Sequence, residues 1–411
     1  MPEVLITGAG IAGDTLAVLL GRAGWSVTVV EIAPALRTGG QTVDLRGDSR
    51  EVIERLGLLD ATLGVLVPQR GIAWIDERER RLAAMPVEAF GGQGFISKEE
   101  LLRTDLARLL HEAAADAGVR HRFGDTVDEL RDTAAGVSVR FRSGDVATFD
   151  LVVGADGAHS HVRALRFGPE ERFRRPLGLA HAWFTLAEGP ATPSLDGWAL
   201  VHNAPGRRSV SARPGHPGEQ EVGLTFAADE LPPRGDRAAR FALLDQEFAG
   251  VGWRTREFLD AARSAPDFAL DTYDQIHMPA WSDGRVVLLG DAAWCASPLS
   301  GLGTALGLRG AAVLAETLGD GSVLTDDRSR AAALADFEQA MRPRVTAAQK
   351  LLPGRVSMIA PRGRLGIQLN ALAMRVVQWP VLLPLIAKLA GDTGHATEQP
   401  AAATAAVPAG R

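Results

Sequence analysis

The sequence predicts an α/β protein built around a parallel sheet, with an antiparallel sheet inserted into it. Three observations carry that prediction. Apolar runs of the buried-strand type start near residues 4, 151 and 286, and each leads through a glycine turn into a helix, the alternation expected of parallel strands with crossover helices. Between 173 and 278 the pattern changes to short alternating segments parted by Gly/Pro turns such as "APGRR" and "PGHPGEQ", which reads as antiparallel strands. Finally, 411 residues exceed the size at which one hydrophobic core keeps growing, so two domains are expected.

Composition narrows the partners. With 46% hydrophobic and 23% charged residues the chain is of ordinary soluble, globular type. A net charge of -6 without a basic block argues against nucleic acid. The single cysteine, Cys295, leaves no internal disulfide and fits a reducing, cytoplasmic setting; no secretory signal is read at the N-terminus. The apolar stretch 372–390 holds at most twelve uncharged residues between Arg375 and Lys388, interrupted by Pro380 and Pro384. That is too short to span a membrane, so a kinked, packed C-terminal helix is expected, followed by a disordered tail over 391–411.

The first element is "PEVLITGAGIAGDTLAVLLGRAGWSVTVVEIA". Residues 4–6 form a buried strand, the turn carries Gly8, Gly10, Ala12 and Gly13 in GxGxxG spacing, and Leu16, Leu19 and Leu20 repeat at helical spacing. A second strand, 27–30, ends on Glu31, eighteen residues after Gly13. Each part has a mechanical reason. Gly8 permits the sharp turn, Gly10 lets backbone N–H groups approach a pyrophosphate, and Gly13 allows close helix–strand packing. The helix N-terminus favours phosphate, and a carboxylate at position 31 can accept both ribose hydroxyls. Glu31 disfavours a 2′-phosphate, so this Rossmann-like unit is expected to hold NAD or FAD rather than NADP.

Three later segments follow. "FISKEELLRTDLARLLHEAAADAG" (95–118) reads as an amphipathic helix, with Leu102, Leu106, Leu109 and Leu110 on one face and Arg103 in an R-x-D-L pattern. "DLVVGADGAHSHVR" is a strand running into the turn at Asp156 and Gly157, then a helix. Its histidines, His159 and His161, stand two apart and cannot share a helix face, which argues against a paired metal site; no G-x-S-x-G elbow marks a hydrolase. The third segment begins with the strand 286–289, turns at Gly290 and Asp291, and passes Pro298, Gly301 and Gly303 into a long apolar helix.

Together these motifs resemble the single-component flavoprotein aromatic hydroxylases, the para-hydroxybenzoate hydroxylase superfamily, over residues 1–350. The stretch "RTGGQTVDLRGDSREVIERLGLLD" (37–60) is similar to the branch of tetracycline-inactivating monooxygenases. The resemblance implies a GR2-type FAD domain in which Glu31 holds the adenosine ribose and Arg103 the diphosphate or ribityl region. It places Asp156 and Gly157 in a motif serving both FAD and a transient pyridine nucleotide. It further implies that Asp291, after Gly290, accepts a ribityl hydroxyl, that Pro298 lies close to the flavin ring, and that the backbone of Gly301, Leu302, Gly303 and Thr304 faces the N1–C2=O edge. Two positions depart from the family pattern: Trp294 stands where His is often found, and Thr304 where Asn is common.

Because "GLGTALG" has the wrong spacing for a second dinucleotide turn, NAD(P)H is expected as a passing co-substrate. What the resemblance implies is a monooxygenase with non-covalent FAD, O2 reacting to a flavin C4a-hydroperoxide, and no catalytic side chain or metal. A flavin-dependent reductase or dehydrogenase, a halogenase, and a non-catalytic flavin-binding module are the alternatives. A halogenase would need a Trp-rich motif and a tunnel lysine, and no lysine stands in such a context.

The expected organisation is FAD-binding segments at 1–75, 98–172 and 279–345, a hairpin at 76–97, a substrate sheet at 173–278 and a C-terminal helical region at 346–390. Helices near 236–248 and 254–264 would back the sheet. His181 and Arg213 are the polar candidates for orienting a substrate; Trp183, Trp198, Phe184 and Phe226 are pocket candidates with ordinary sheet core as the alternative, and Trp74 is equally open. The substrate class expected is a bulky aromatic or polyketide-like molecule, with hydroxylation leading and epoxidation or Baeyer–Villiger insertion left open. A monomer or weak homodimer is expected.

Overall fold

The computed structural model describes residues 1–376, apart from 38, 40, 46, 90–96, 191 and 352–353. The tail 391–411 and all of the expected kinked helix beyond residue 376 lie outside the described residues. Among those described, no helix is long and apolar enough to cross a membrane.

The first sheet has six strands in the order Ser282–Asp283, Val286–Leu288, Leu151–Gly154, Glu3–Thr7, Ser26–Glu31, Arg120–Phe123. All pair in parallel except the outer Ser282–Asp283. Its central strands are covered on both faces, which is why they read as continuous apolar runs: Val4, Leu5, Ile6, Leu151, Val152, Val153, Val286 and Val287 have no exposed surface. The helices Ile11–Arg22, Arg103–Asp116 and Gly303–Leu318 supply Leu16, Leu20, Leu106, Leu110, Leu308 and Leu314 to the same core.

The second sheet has seven strands: Ala269–Ile276, Arg174–Ala187, Glu219–Phe226, Arg208–Pro214, Trp198–Ala204, Gly71–Ile75, Arg81–Pro86. Gly71–Ile75, which the sequence grouped with the first segment, runs parallel to Trp198–Ala204 and brings the hairpin into this sheet. One face is closed by the helices Arg237–Glu247 and Thr255–Ala262. Ala180, Ala182, Phe184, Val210, Ala212, Val222, Leu224 and Phe226 pack there against Phe241, Leu244, Phe258 and Leu259. Phe184 and Phe226 are therefore core, not pocket.

Two local differences from the sequence expectation have clear causes. The helix expected over 95–118 starts only at Arg103; Glu100–Leu102 is a strand paired with Thr42–Asp44. Helix-favouring Glu and Leu are overridden there because Arg103 N donates to Gln41 O and Leu101 is fully buried. A three-stranded meander, Val127–Thr133, Gly136–Phe141 and Val146–Phe149, adds a small sheet that the sequence did not signal.

Candidate active site

Four motifs meet at one edge. The turns at Gly8, Glu31, Asp156 and Gly290 each follow the carboxyl end of a strand of the parallel sheet, the place where open α/β sheets bind ligands. They interlock: Gly8 N donates to Val30 O at 2.7 Å, Ala155 N to Thr7 O at 2.9 Å and Leu289 N to Gly154 O at 2.8 Å.

The glycines of the first turn have distinct jobs. Gly8 sits at φ +99°, and a Cβ there would lie 2.6 Å from Ala155 O. A Cβ on Gly13 would lie 2.0 Å from Gly8 O, so the helix rests directly on the turn. Gly10, the N-cap of Ile11–Arg22, is different: a Cβ there meets nothing within 4 Å. The same holds for Gly157 and Gly301, at φ +84° and +70°. These three glycines front open space, where a ligand can reach backbone N–H groups. Glu31 is fixed by the N–H groups of Ala9 at 3.0 Å and Ala33 at 2.9 Å, which aims its carboxylate over the turn.

Asp156 orders its own turn. Its carboxylate accepts from Ser160 Oγ at 2.5 Å, His161 N at 2.7 Å and Val162 N at 3.1 Å. The carboxylate thus takes the first two N–H groups of the helix His161–Phe167, whose N-cap, Ser160, accepts from Arg163 N at 3.0 Å. His159 is also engaged, bonded to Glu170 at 2.9 Å and Asp271 at 3.0 Å. Those hydrogen bonds, Asp271 first, raise its pKa to about 9, making it a charged clamp between the two sheets.

Arg163 joins two motifs. Fully buried, it donates to Ala292 O at 2.9 Å, Ala158 O at 2.6 Å and Glu170 Oε2 at 2.8 Å, bolting the Asp156 turn to the turn after Gly290. Gly290, at φ +64°, in turn lies against Ala12, to which a Cβ would approach within 3.1 Å. Asp291 and Glu31 both act electrostatically on Arg103, together with Arg37. Surrounding protein raises the Asp291 pKa, and the Arg103 charge pulls it back. Asp291 and Arg103 are thus complementary charges within electrostatic reach of each other.

The loop 297–304 has the shape of an anion-facing turn. Ser297 holds a left-handed φ of +70°, its Oγ accepts from Leu299 N, and Pro298–Ser300 forms one 3₁₀ turn before Gly301. Leu302 then caps Gly303–Leu318, so the first N–H groups, at Gly303 and Thr304, have no intrahelical partner. Trp294 points the other way. It is 1% exposed and packs 4.4 Å from Trp281, with Phe337 behind, so it fills the core rather than facing a cofactor. Cys295 is buried, which pushes its thiol well up.

The opposite face of the large sheet, covered in part by the helix Arg364–Val376, carries a polar and aromatic set. His181 stacks on Trp183 and Tyr273, at 5.9 and 5.5 Å, and its Nδ1 lies 2.8 Å from Thr225 Oγ1. Burial lowers its pKa to about 4. Gly223 leaves room for it: a Cβ there would come within 2.7 Å of His181 Cε1. Leu179 and Tyr273 pack with Leu299, so this face covers the 298–300 turn. Trp198 is not part of the set. Strand alternation puts it on the helix-backed face with Leu200, beneath the Arg81 guanidinium at 4.4 Å. A depression of about 560 Å³ lies elsewhere, between Ser282 and the helix Asp327–Gln349.

Arg213 shares the His181 face but is already paired, with Glu100 and with Glu221 at 3.8 Å. It is no free clamp for a substrate carboxylate. Two carboxyls beside one guanidinium cannot both be fully compensated. Burial raises Glu221 to about 7 from the ordinary 4.5, Arg213 opposing the shift. A carboxyl whose folded pKa is raised contributes stability below its unfolded value and loses it as pH rises. Glu221→Gln is therefore expected to flatten the fall in Tm between about pH 4.5 and 7 relative to the parent, as thermal unfolding across that window would show.

A glycine-turned parallel sheet with an acidic residue on its second strand, open backbone at Gly10, Gly157 and Gly301, and a covering antiparallel sheet fit a flavoprotein of the FAD-dependent monooxygenase type. The chain belongs to that family: an FAD binding domain model matches residues 1–215, and the chain is a flavin-dependent monooxygenase. It is 34% identical over 365 residues to FAD-dependent monooxygenase asL4 of Sarocladium schorii, covering 84% of each chain. It is 41% identical over 323 residues to the uncharacterized protein Rv1260 of Mycobacterium tuberculosis, covering 77% of this chain and 85% of that one. The crystal structure of tetracycline destructase Tet(51) superposes with a TM-score of 0.76 at 26% identity, over 92% of this chain and 97% of the other.

Two carboxylates, Glu31 and Asp291, stand beside these turns as acceptors. Glu31→Ala and Asp291→Ala each remove a charge-assisted acceptor worth roughly 1.5–3 kcal/mol. Each is expected to weaken FAD binding about tenfold to a hundredfold, measured by titrating the apoprotein with FAD.

Proposed function

We propose that the protein uses NAD(P)H and O2 to hydroxylate a bulky aromatic or polyketide-like small molecule between the 298–304 loop and the His181 face of the large sheet. The observation that carries this reading is the packing of Leu179 and Tyr273 on Leu299, which sets an aromatic wall over the turn next to the groove. Bound FAD would take electrons from NAD(P)H and activate oxygen; no further redox group is needed.

The chain's own part is to hold, orient and exclude water. Glu31, Arg103, Asp291 and the backbone around Gly10 and Gly157 would hold the dinucleotide, and the N–H groups of Gly303 and Thr304 would favour negative charge on the ring edge. His181, neutral at physiological pH, presents a polar atom without a charge between Trp183 and Tyr273, which suits a large, mostly apolar molecule with few polar groups. The likeness to a tetracycline destructase supports a polycyclic substrate, and the internal pairing of Arg213 disfavours a small carboxylate.

Anaerobic mixing with NADPH and with NADH tests the reading. One of them is expected to bleach the bound flavin, faster when a suitable polycyclic aromatic is present. Reduction by neither nucleotide would remove NAD(P)H from the account.

A further inference from the structure

The geometry points to a divalent-cation site of the zinc class, formed by Asp14, His111 and His121 in the dinucleotide half of the protein. No sequence spacing signals it, since the three residues lie up to 107 positions apart. The fold gathers them from the helix Ile11–Arg22, the helix Arg103–Asp116 and the edge strand Arg120–Phe123. One ligating atom from each lies within 4.8 Å of the other two.

Asp14 is the unusual member. It has no exposed surface, and a carboxylate in such a place needs partners. One oxygen has one: Oδ1 lies 2.9 Å from His121 Nε2. Oδ2 has none, and neither has His111 Nδ1, although both atoms are buried. These two orphaned atoms face each other at 3.8 Å, too far for a hydrogen bond. A tetrahedral ion with bonds of about 2.0–2.1 Å holds its ligand atoms about 3.3 Å apart. One carboxylate oxygen of Asp14 and one nitrogen of each imidazole already lie within 4.8 Å of one another, so side-chain rotations can draw the three to that spacing.

The donors choose the metal class. Two imidazoles and one carboxylate suit Zn²⁺, Co²⁺ or Ni²⁺ rather than Mg²⁺ or Ca²⁺. The imidazole rings meet edge-on at 4.1 Å, and Phe123 lies parallel to His121 at 6.0 Å, walling one side. His111 is partly exposed, which gives an ion entry and a water the fourth position. The site is a brace rather than a reaction centre. Asp14 follows Gly13 directly, His121 is two residues from the partner of Glu31, and His111 is two helical turns from Arg103. An ion there would tie together the three elements that carry those groups.

The test uses untagged, FAD-loaded protein, stripped with a chelator and titrated calorimetrically with Zn²⁺. One ion per chain is expected, with a higher Tm on loading, and at least a tenfold weaker Kd in each of His111→Gln and Asp14→Asn. The partly exposed His111 keeps the test open even where Asp14→Asn fails to fold. No saturable Zn²⁺ binding by the parent, binding that is lost in His159→Gln or His216→Gln controls, or binding unaltered by His111→Gln, would overturn the site. A Tm unmoved by Zn²⁺ would overturn the brace.

Discussion

Arg163→Met is expected to lower Tm by about 4–6 °C and to cost about 3–5 kcal/mol of stability. Arg163 is fully buried, and its guanidinium serves Ala292 O, Ala158 O and Glu170 together. Methionine roughly keeps the volume but leaves one carboxylate and two carbonyls without their donor, and unmade buried bonds cost more than made ones contribute. The loss is local as well as global, because Arg163 is the bolt between the Asp156 turn and the short helix that opens at Asp291. FAD content should therefore fall with stability. Arg163→Lys should recover only part, since a single ammonium cannot span three acceptors set for a planar fork. Thermal unfolding with excess FAD, beside the flavin-to-protein ratio, measures both. An unchanged Tm would show that the two turns do not depend on this residue.

Gly13→Ala is expected to abolish FAD retention, with a loss of more than about a hundredfold in affinity. The new Cβ would stand 2.0 Å from Gly8 O, and both sides of that clash are backbone. No side chain can move aside. The helix must lift from the turn, which carries off the N–H groups meant for the pyrophosphate. Overpacking of this kind costs about 1–3 kcal/mol, so the protein should fold yet purify colourless. Gly10→Ala is the matched comparison. Its Cβ meets no protein atom, so apoprotein stability should change by no more than about 1 kcal/mol, any FAD loss coming from the ligand's side. Apoprotein Tm and FAD titration of the two variants separate a broken frame from a blocked groove.

The parallel sheet was legible because its signals are local: GxGxxG between an apolar run and a helical repeat, with Glu31 ending the next strand, fit within thirty residues. The antiparallel sheet was legible for the same reason, from alternation between Gly/Pro turns. What was not legible is what depends on distant partners. Glu100–Leu102 reads as helix until Thr42–Asp44 pairs with it. The role of Asp156 in ordering its own turn shows only once Ser160 and two backbone N–H groups are seen on its carboxylate. Trp294 follows Asp291 by three residues in the motif but turns inward to Trp281 and Phe337. Among the aromatic candidates, alternation alone could have sorted Trp183 from Phe184, but not which face the helices would cover. Asp14, His111 and His121 share no spacing at all, and only the crossing of two helices with the edge strand brings them together.

Turnover in isotopically labelled O2 tests the central claim most directly. With FAD-loaded protein, NAD(P)H and a panel of polycyclic aromatic and polyketide-like substrates, the accelerating substrate is expected to gain one labelled oxygen atom, its mass rising accordingly, with the label absent when it is supplied as water. Consumption of NAD(P)H that yields only hydrogen peroxide across the whole panel, with no labelled product, would contradict the account and leave a flavin oxidase or reductase in its place.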